Sequence, residues 1–379
     1  MNQRVIRNAR IVTASEEFTG CVVIEGDTLR SVERGTSSLP DAEDWGGDWL
    51  LPGLVELHTD NLEKHLVPRP GVLWNATSAT VTHDAQCAAT GITTVLDSIV
   101  IGDMDQGGTR SQTQHAAIEA LHACRARGLL RVEHLLHLRC EVSAPDIVAM
   151  FERYADDALV ELVSVMDHTP GQRQWRDLDK YRRYAERNGS FSDDEYKGQV
   201  EERMAHQTLY AARHRAAVIA GSHARRLPLA SHDDTEVEHV EQAHGERITL
   251  SEFPTTVAAA KAARAAGIGI IMGGPNMVLG GSHSGNVSAT ELAELRLLDI
   301  LSSDYVPSSL IQSAFFLHDR LGWSMPNAIS TVSCNPSRAI GLTDRGQIAA
   351  GLRADFIRVQ DSDGMPIVRG TWCNGERAF

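Results

Sequence analysis

Eight short apolar segments alternate with alanine-rich helical patterns through the middle of this 379-residue chain. Each segment has the length of a buried strand, and several helical patterns end at a glycine, where helices commonly stop. Eight repeats of this kind predict a parallel (β/α)8 barrel of the TIM type, an α/β fold. An open doubly wound sheet stays an alternative, although no GxGxxG or GxxxxGK[ST] motif follows an early strand. The predicted strands cover residues 51–57, 93–98, 130–138, 159–166, 227–230, 248–252, 268–272 and 299–303.

Both ends of the chain have a different pattern from the middle. Residues 1–50 and 345–379 contain short β-type segments separated by turn sequences, so we expect them to form one small β-sandwich domain. Residues 51–344 would then form the barrel. A long, charged and mostly helical stretch near 171–226 interrupts the repeat after the fourth strand, and Ser192 and Glu195 have the spacing of a capping box at its second half. We interpret this stretch as an insertion on the face where barrel active sites lie.

Composition excludes several other classes of protein. Hydrophobic residues make up 42% of the chain and charged residues 23%, which fits a globular protein and neither a collagen nor a disordered tail. The formal charge of −14 argues against a nucleic-acid-binding surface. No apolar run approaches ~18 residues, so we expect no membrane span. The first residues lack a secretory signal core, and the six cysteines are scattered without a CxxC motif, so we expect reduced thiols in the cytoplasm.

Polar side chains close five of the eight predicted strands. In a barrel of this type the carboxyl ends of the strands meet at one mouth, so these side chains are expected to lie together. Imidazoles and carboxylates at one mouth form the ligand set of a zinc-like or mixed divalent site. A single histidine in a strand is more often structural, and it is the repetition at five strand ends that favours a metal site. The five segments are 58–61, 137–141, 166–168, 231–234 and 302–304.

The scarcity of lysine bears on how two metal ions could be bridged. Barrels with paired metals often use a carboxylated lysine on a strand, but the four lysines here are not placed for that role. A carboxylate would have to replace it, and Glu141 at the end of the third strand is the candidate. The alternative is that Glu141 only forms a salt bridge with Arg139 or another arginine.

A glycine-rich loop follows the seventh predicted strand, over residues 280–286. Glycines let backbone N–H groups approach an anion closely, and a helix is predicted just after the loop. The loop therefore favours contact with a phosphate or phosphonate, with His283 and Asn286 as the side chains expected to take part. An ordinary surface loop is the alternative.

Several motifs resemble those of the amidohydrolase superfamily over essentially the whole chain. They are RNARIVT at the start, LPGLVELHTD at the first strand, and SCNPSRAIGL and DRGQIAAGLRADFIRV near the end. The first strand departs from the usual His-x-His, because it reads His58-Thr59-Asp60. Together with HTDNLEKH, MDHTPGQRQ, LASHDD and GGPNMVLGGSHSGNVSA, this departure is similar to the phosphonate-metabolism branch, the PhnM family.

The resemblance implies an activity and a site. It implies a metal-dependent hydrolase that cleaves α-D-ribose 1-methylphosphonate 5-triphosphate to diphosphate and the 5-phosphate within the carbon–phosphorus lyase pathway. The bound metal is expected to be zinc, with manganese or iron as alternatives because Asp60 makes the site richer in oxygen, and with one or two ions. The implied metal ligands are His58, Asp60, Glu141, His168 and His232, with Asp304 on the eighth strand as general base.

A triphosphate carries about four negative charges and favours cationic partners. Lys64 and Arg139 are the two basic residues that we expect to bind it. Asp304 has an alternative reading as the cap of the helix that follows the eighth strand.

Two other functions stay open at this point. A C–N amidohydrolase, such as a deaminase or cyclic amidase, would use the same kind of site on a carbonyl or ring carbon. A non-enzymatic scaffold in the phosphonate pathway is disfavoured, because buried charged groups without a role are costly. The expected partner is the phosphorylated ribose phosphonate, without nucleic acid or membrane, while homo-oligomers and loose association with other pathway proteins stay open.

Overall fold

The computed structural model describes residues 3–69, 71–102, 109–186, 192–282 and 285–379. Within these ranges the strands form two eight-stranded sheets. The strands are β1 (Gln3–Val12), β2 (Glu17–Glu25), β3 (Thr28–Arg34), β4 (Glu43–Asp44), β5 (Trp49–Pro52), β6 (Leu54–Thr59), β7 (Ile92–Ile101), β8 (Glu133–Glu141), β9 (Val160–Met166), β10 (Leu229–His232), β11 (Leu250–Glu252), β12 (Gly269–Gly273), β13 (Ile300–Ser302), β14 (Phe356–Ser362), β15 (Met365–Cys373) and β16 (Glu376–Arg377).

The helices lie mainly between the strands of the second sheet. No helix in the described part of the chain is long and apolar enough to cross a membrane. The helices are α1 (Asn61–Leu66), α2 (Ala76–Ala89), α3 (Thr109–Ala126), α4 (Ile147–Tyr154), α5 (Leu178–Ala185), α6 (Asp193–Arg225), α7 (Val237–Gly245), α8 (Val257–Ala265), α9 (Gly274–Val278), α10 (Ala289–Glu294), α11 (Ser309–Leu321), α12 (Met325–Ser330) and α13 (Cys334–Ala339), with a 3-10 turn at Arg173–Trp175.

Strands β6 to β13 pair in sequence order and every pair is parallel. The barrel closes where β13 meets β6, because the amide of Asp304 donates to the carbonyl of His58 at 3.0 Å and the amide of Asp60 donates to the carbonyl of Asp304 at 2.8 Å. Buried leucine, valine and isoleucine side chains from the strands fill the barrel interior. The predicted (β/α)8 barrel is confirmed.

The other sheet is built from both ends of the chain and is mostly antiparallel. Strand β14 pairs with β5, β5 with β1, and β1 with β2, so the C-terminal strands extend the N-terminal ones. Its core contains Trp45, Phe356 and Trp372, and the last two rings are stacked with centroids 4.8 Å apart. This arrangement is the two-ended β module expected from the sequence, while the exact domain boundaries at 50 and 345 stay a prediction.

One detail of the strand prediction was wrong. Residues 51–57 were expected to form a single strand, but the chain changes sheet inside this segment, from β5 to β6. Gly53 lies at the change, and a Cβ there would come within 2.2 Å of the hydroxyl oxygen of Thr93. The absence of a side chain at Gly53 thus lets β6 enter the barrel close to β7.

The segment between β9 and β10 is helical, as expected for the insertion. The 33-residue helix α6 begins at the Ser192 capping box, in which the Glu195 carboxylate accepts from the Ser192 amide at 2.8 Å. Near its C-terminal end, Arg225 forms an ion pair with Asp156 at 2.7 Å. These contacts stabilise both ends of α6.

A buried polar network joins α2 to the outer side of the barrel. The Asp97 carboxylate lies 2.7 Å from ring nitrogens of both His83 and His134. Asp84 lies 3.4 Å from the other nitrogen of His134 and accepts from the Arg131 guanidinium at 2.9 Å. Burial alone would lower the pKa of His134, but the two facing carboxylates raise it to about 9. His134 is therefore a buried cation held between two anions.

We expect this network to make stability depend on pH. The raised pKa of His134 means that its contribution is complete below about pH 6.5 and is lost as the pH rises through about 9. The free energy of unfolding of the wild type should fall by about 2–3 kcal/mol more over this range than that of His134→Gln. Urea denaturation at pH 6.5 and 9 measures the difference. The exposed His244 on α7, replaced by Gln, is the control and should behave as the wild type; parallel profiles for all three proteins would contradict the expectation.

Candidate active site

The polar strand ends lie around one cavity of about 470 Å³ at the mouth of the barrel. This volume is within the usual range of small-molecule sites. The cavity is bounded by strand ends, by the loop after β12 and by the insertion, which contributes Trp175, Tyr181 and Arg203. The predicted residues that line it are His58, Asp60, Arg139, Glu141, His168, His232, Asn286 and Asp304.

Three residues that follow barrel strands have left-handed backbone conformations. Asp233, Phe253 and Asp304 have φ angles of 55°, 54° and 52°. The amide of Asp233 donates to the carbonyl of Glu252 at 2.8 Å, so each turn is tied to the next strand of the barrel in the manner seen at Asp304. Such conformations are unfavourable for residues other than glycine and cluster at functional sites. The strand ends therefore place side chains in the cavity at some cost in backbone energy.

The first ligand cluster, which we call the His168 group, consists of Glu141, His168, His232 and Asp233. Ring nitrogens of His168 lie 3.0 Å from the Glu141 carboxylate and 3.6 Å from that of Asp233. His232 Nδ1 lies 3.0 Å from Asp233 Oδ2. Burial alone would lower the pKa of His168, but the two carboxylates raise it to about 9. The ligand atoms of His168, His232 and Asp233 thus lie within 4.8 Å of one another, while Glu141 contacts the other ring nitrogen of His168.

The second cluster, which we call the His58 group, consists of His58, Asp60 and Asp304, whose ligand atoms lie within 4.8 Å of one another. His58 Nδ1 is 3.1 Å from the buried carboxylate of Glu252. The Arg139 guanidinium donates to Asp60 Oδ1 at 2.7 Å. The two groups adjoin, because the His58 and His232 rings are 5.7 Å apart between centroids.

Glu141 does not form the salt bridge with Arg139 that was its alternative interpretation. Its carboxylate accepts from the Ser143 hydroxyl at 2.7 Å and faces His168, whereas Arg139 pairs with Asp60. Glu141 therefore belongs to the His168 group. Whether it binds or bridges metal stays a prediction.

Asp304 does not cap the helix after the eighth strand, which was its alternative interpretation. The helix after β13 is α11, which begins at Ser309 with Ser308 as its N-cap residue. Asp304 precedes this helix by five positions and lines the cavity instead. A cap of the following helix is thus excluded, and the role as general base stays a prediction.

Hydrogen bonds from the insertion support the end of strand β10. Arg173, in the insertion, donates to the carbonyl of His232 at 2.8 Å and to the carboxylate of Asp234 at 2.7 Å. Asp234 also accepts from the Ser251 hydroxyl at 2.7 Å. The insertion therefore fixes the end of β10, in addition to covering the cavity.

Glu56 holds the seam of the barrel beneath His58. One carboxylate oxygen accepts from the amide of His58 at 2.7 Å and the other accepts from the amide of Ser303 at 2.5 Å. Burial raises the pKa of Glu56 to about 7, although both amides and His58 oppose the shift. This one side chain connects the ends of the first and eighth barrel strands.

The atoms of the site are suited to hold a cation. Among the residues that the structure describes, buried Glu252 Oε2 has no hydrogen-bond partner, and buried His232 Nδ1 and Asp233 Oδ2 face each other at 3.0 Å without hydrogen-bond geometry. Buried polar atoms are nearly always paired, so acceptors left in this state at one cavity are suited to a ligand. Nitrogen and oxygen donors of this kind suit zinc, iron or manganese.

The remaining predicted residues lie in different places. The Lys64 ammonium donates to the carbonyl of Tyr305 at 2.7 Å and packs on its ring, at the rim rather than in the cavity lining. Asn286 lines the cavity. His283 lies outside the described residues.

Three residues of the site were missed by the sequence prediction. Glu252 ends β11 as the predicted ligands end other strands, so the strand-end rule applied to the sixth strand would have found it. Asp233 was passed over in favour of its neighbour His232. Arg173 gave no signal, because nothing in the sequence shows that an arginine in the insertion reaches under β10.

Comparison with known proteins places the chain in a family. It is 43% identical to the α-D-ribose 1-methylphosphonate 5-triphosphate diphosphatase of Escherichia coli over 377 residues, which cover 99% of this chain and 100% of that protein. The chain belongs to that diphosphatase family. An imidazolonepropionase from Deinococcus deserti is 39% identical over 64 residues, or 15% of the chain. No protein-family model matches the chain.

Solved structures share the fold of this diphosphatase family member. An N-acetyl-D-glucosamine-6-phosphate deacetylase from Mycobacterium smegmatis superposes with a TM-score of 0.66 at 16% identity, covering 99% of this chain and 100% of that one. An N-isopropylammelide isopropylaminohydrolase from Burkholderia multivorans superposes with a TM-score of 0.65 at 15% identity, covering 100% and 98%. At these identities the likeness concerns the fold alone, a parallel barrel with a second β sheet. Membership of the diphosphatase family makes the chain a hydrolase.

The seam contact generates a test. Glu56→Ala removes the acceptor of two buried amides and leaves a cavity, so it should lower the free energy of unfolding by about 2–4 kcal/mol. Chemical denaturation measures this loss. The exposed Glu238 on α7, replaced by Ala, should change stability by less than about 0.5 kcal/mol. An equal effect of the two substitutions would show that Glu56 does not hold the seam.

Proposed function

We propose that this chain hydrolyses α-D-ribose 1-methylphosphonate 5-triphosphate to diphosphate and α-D-ribose 1-methylphosphonate 5-phosphate, as a step of phosphonate catabolism by the carbon–phosphorus lyase pathway. The observation that carries the proposal is the full-length 43% identity to a diphosphatase with this activity in its name. The cavity at the barrel mouth supports it, because nitrogen and carboxylate ligands lie beside an arginine in a space of suitable size.

The His168 group is the proposed place for a divalent metal, zinc, with iron or manganese as alternatives. His168, His232 and Asp233 would hold it, and Glu141, which contacts the other ring nitrogen of His168, is proposed as a further ligand. When bound, the ion would activate water and neutralise charge on the phosphoryl group under attack. The His58 group, with His58 and Asp60 as predicted ligands, adjoins this place.

Asp304 is the proposed proton acceptor. Its backbone amide donates to the carbonyl of His58, and its side chain faces the cavity. The carboxylate is therefore positioned by the barrel seam rather than by a mobile loop. A carboxylate beside a divalent cation stays ionised at neutral pH and can accept a proton from the attacking water. The water would attack the α-phosphorus of the 5-triphosphate, the bond from that phosphorus to the bridging oxygen would break, and diphosphate would leave.

Cationic and amide donors would bind the triphosphate. Arg139 and Asn286 line the cavity, and we propose both as substrate contacts. Lys64 would act from the rim, where its ammonium is fixed on Tyr305. His283 completes the proposed set from the loop after β12. Carboxylates also line the cavity, so a substrate with about four negative charges depends on these donors and on the metal.

A C–N amidohydrolase is not favoured. The structural neighbours that cleave C–N bonds share only 12–16% identity with this chain, which carries the fold and not the reaction. We also propose a cytoplasmic location, which the six free, buried cysteines support. We also propose an association with other phosphonate-pathway proteins or with a second copy of the chain.

The reaction itself is tested by product release. Purified, metal-supplemented protein should release diphosphate from the ribose phosphonate triphosphate, with ATP assayed beside it at equal concentration. We expect turnover of the ribose substrate to exceed that of ATP, because the proposed contacts serve a triphosphate on a ribose phosphonate. Turnover of ATP alone would overturn the substrate, and ammonia release from cyclic amides without diphosphate release would overturn the reaction class.

Asp304→Asn tests the proton acceptor. The amide keeps the size of the side chain but cannot accept the proton, so turnover should fall by about 100-fold or more while the fold and the bound metal are retained. Turnover, metal content and thermal unfolding are measured together. The exposed Asp319 on α11, replaced by Asn, is the matched control and should keep full turnover. Near-normal turnover of Asp304→Asn would remove Asp304 from the mechanism.

A further inference from the structure

Arg139 lies inside the His58 group rather than beside it. Its Nη1 donates to Asp60 Oδ1 at 2.7 Å, and its Nη2 is 3.4 Å from His232 Nε2. The arginine is 7% exposed and its guanidinium therefore sits in the wall of the cavity, between the ends of β6, β8 and β10. An ion shared by Asp60 and His232 would have to lie where the guanidinium lies, because the guanidinium contacts both.

The Arg139 guanidinium already forms an ion pair at this position, with Asp60 at 2.7 Å. The guanidinium cannot lose its proton in a protein, so its positive charge is permanent. A divalent ion at the usual ligand distance of about 2.0–2.2 Å from Asp60 would be placed against a fixed cation.

We propose that the Arg139 guanidinium takes the place of a second metal ion, so that each chain binds one divalent ion, in the His168 group. Asp60 is then the partner of an arginine and not a metal ligand. His58 contacts Glu252 instead, so that the His58 ring lies beside the bound ion without being one of its ligands. The inference rests on the metal assignment of the proposed function and replaces the open count of one or two ions by one.

The same pairing accounts for the unusual first strand. A neutral histidine at position 60 could accept a hydrogen bond from the arginine but would bring no opposite charge, whereas a carboxylate forms an ion pair with it. Asp60 and Arg139 therefore form a matched pair, although they stand 79 positions apart in the chain. The pair also fixes the permanent cation of Arg139 at the cavity wall. A phosphate oxygen of the substrate could bind to the guanidinium there without a second ion.

Metal counting tests the proposal. The whole chain is loaded with Mn²⁺, freed of excess ion, and measured by elemental analysis and by electron paramagnetic resonance. The wild type should hold one ion per chain with the spectrum of an isolated Mn²⁺. Arg139→Met has a similar length and no charge, and should take up a second ion and show the spectrum of a coupled pair. Arg139→Lys keeps the charge and should stay at one.

The control is Arg203→Met, which removes another cavity arginine and should leave the count at one. Two ions in the wild type would overturn this inference and leave the proposed function standing. One ion in Arg139→Met would also overturn it, because the arginine would then not be what excludes the second ion. A wild type that releases diphosphate while binding no ion would instead overturn the metal assignment of the proposed function. If Arg139→Met does not fold, Arg139→Gln is the uncharged variant, and its count is read in the same way.

Discussion

The pairing of the eighth barrel strand with the first is the contact on which the rest of the site depends. It consists of the two backbone hydrogen bonds between His58, Asp60 and Asp304, supported by the Ser302 hydroxyl on the His58 carbonyl and by Glu56 beneath. Only a closed barrel brings residues more than 240 positions apart to one mouth. Closure of the barrel offsets the backbone strain of the left-handed turns at the strand ends.

Much of this arrangement could be predicted from the sequence, for a physical reason. Parallel strands place their carboxyl ends at one edge, so His58, His168 and Asp304 were predicted to meet from local patterns alone. The pairing of Asp60 with Arg139 could not be predicted, because it depends on the tilt of β6 against β8 across the barrel. The change of sheet at Gly53 was missed for a similar reason, since its apolar residues continue from one sheet into the next.

Electrostatics connects the fold to the proposed reaction. The cavity contains several carboxylates, and a triphosphate would add about four negative charges. Cations must therefore be supplied, and the described residues offer the Arg139 guanidinium and, in the His168 group, donors suited to a metal. The insertion fixes that cluster through Arg173, so that the part of the chain that departs from the barrel repeat also determines the shape of the site.

The central claim is that water enters at the α-phosphorus of the triphosphate in this cavity. The most direct measurement is the reaction of the ribose phosphonate triphosphate in ¹⁸O-labelled water, with both products analysed by mass spectrometry. The account predicts one ¹⁸O atom in the ribose 5-phosphate product and none in the diphosphate. Label in the diphosphate would mean attack at the β-phosphorus and would contradict the placement of the substrate against the strand ends.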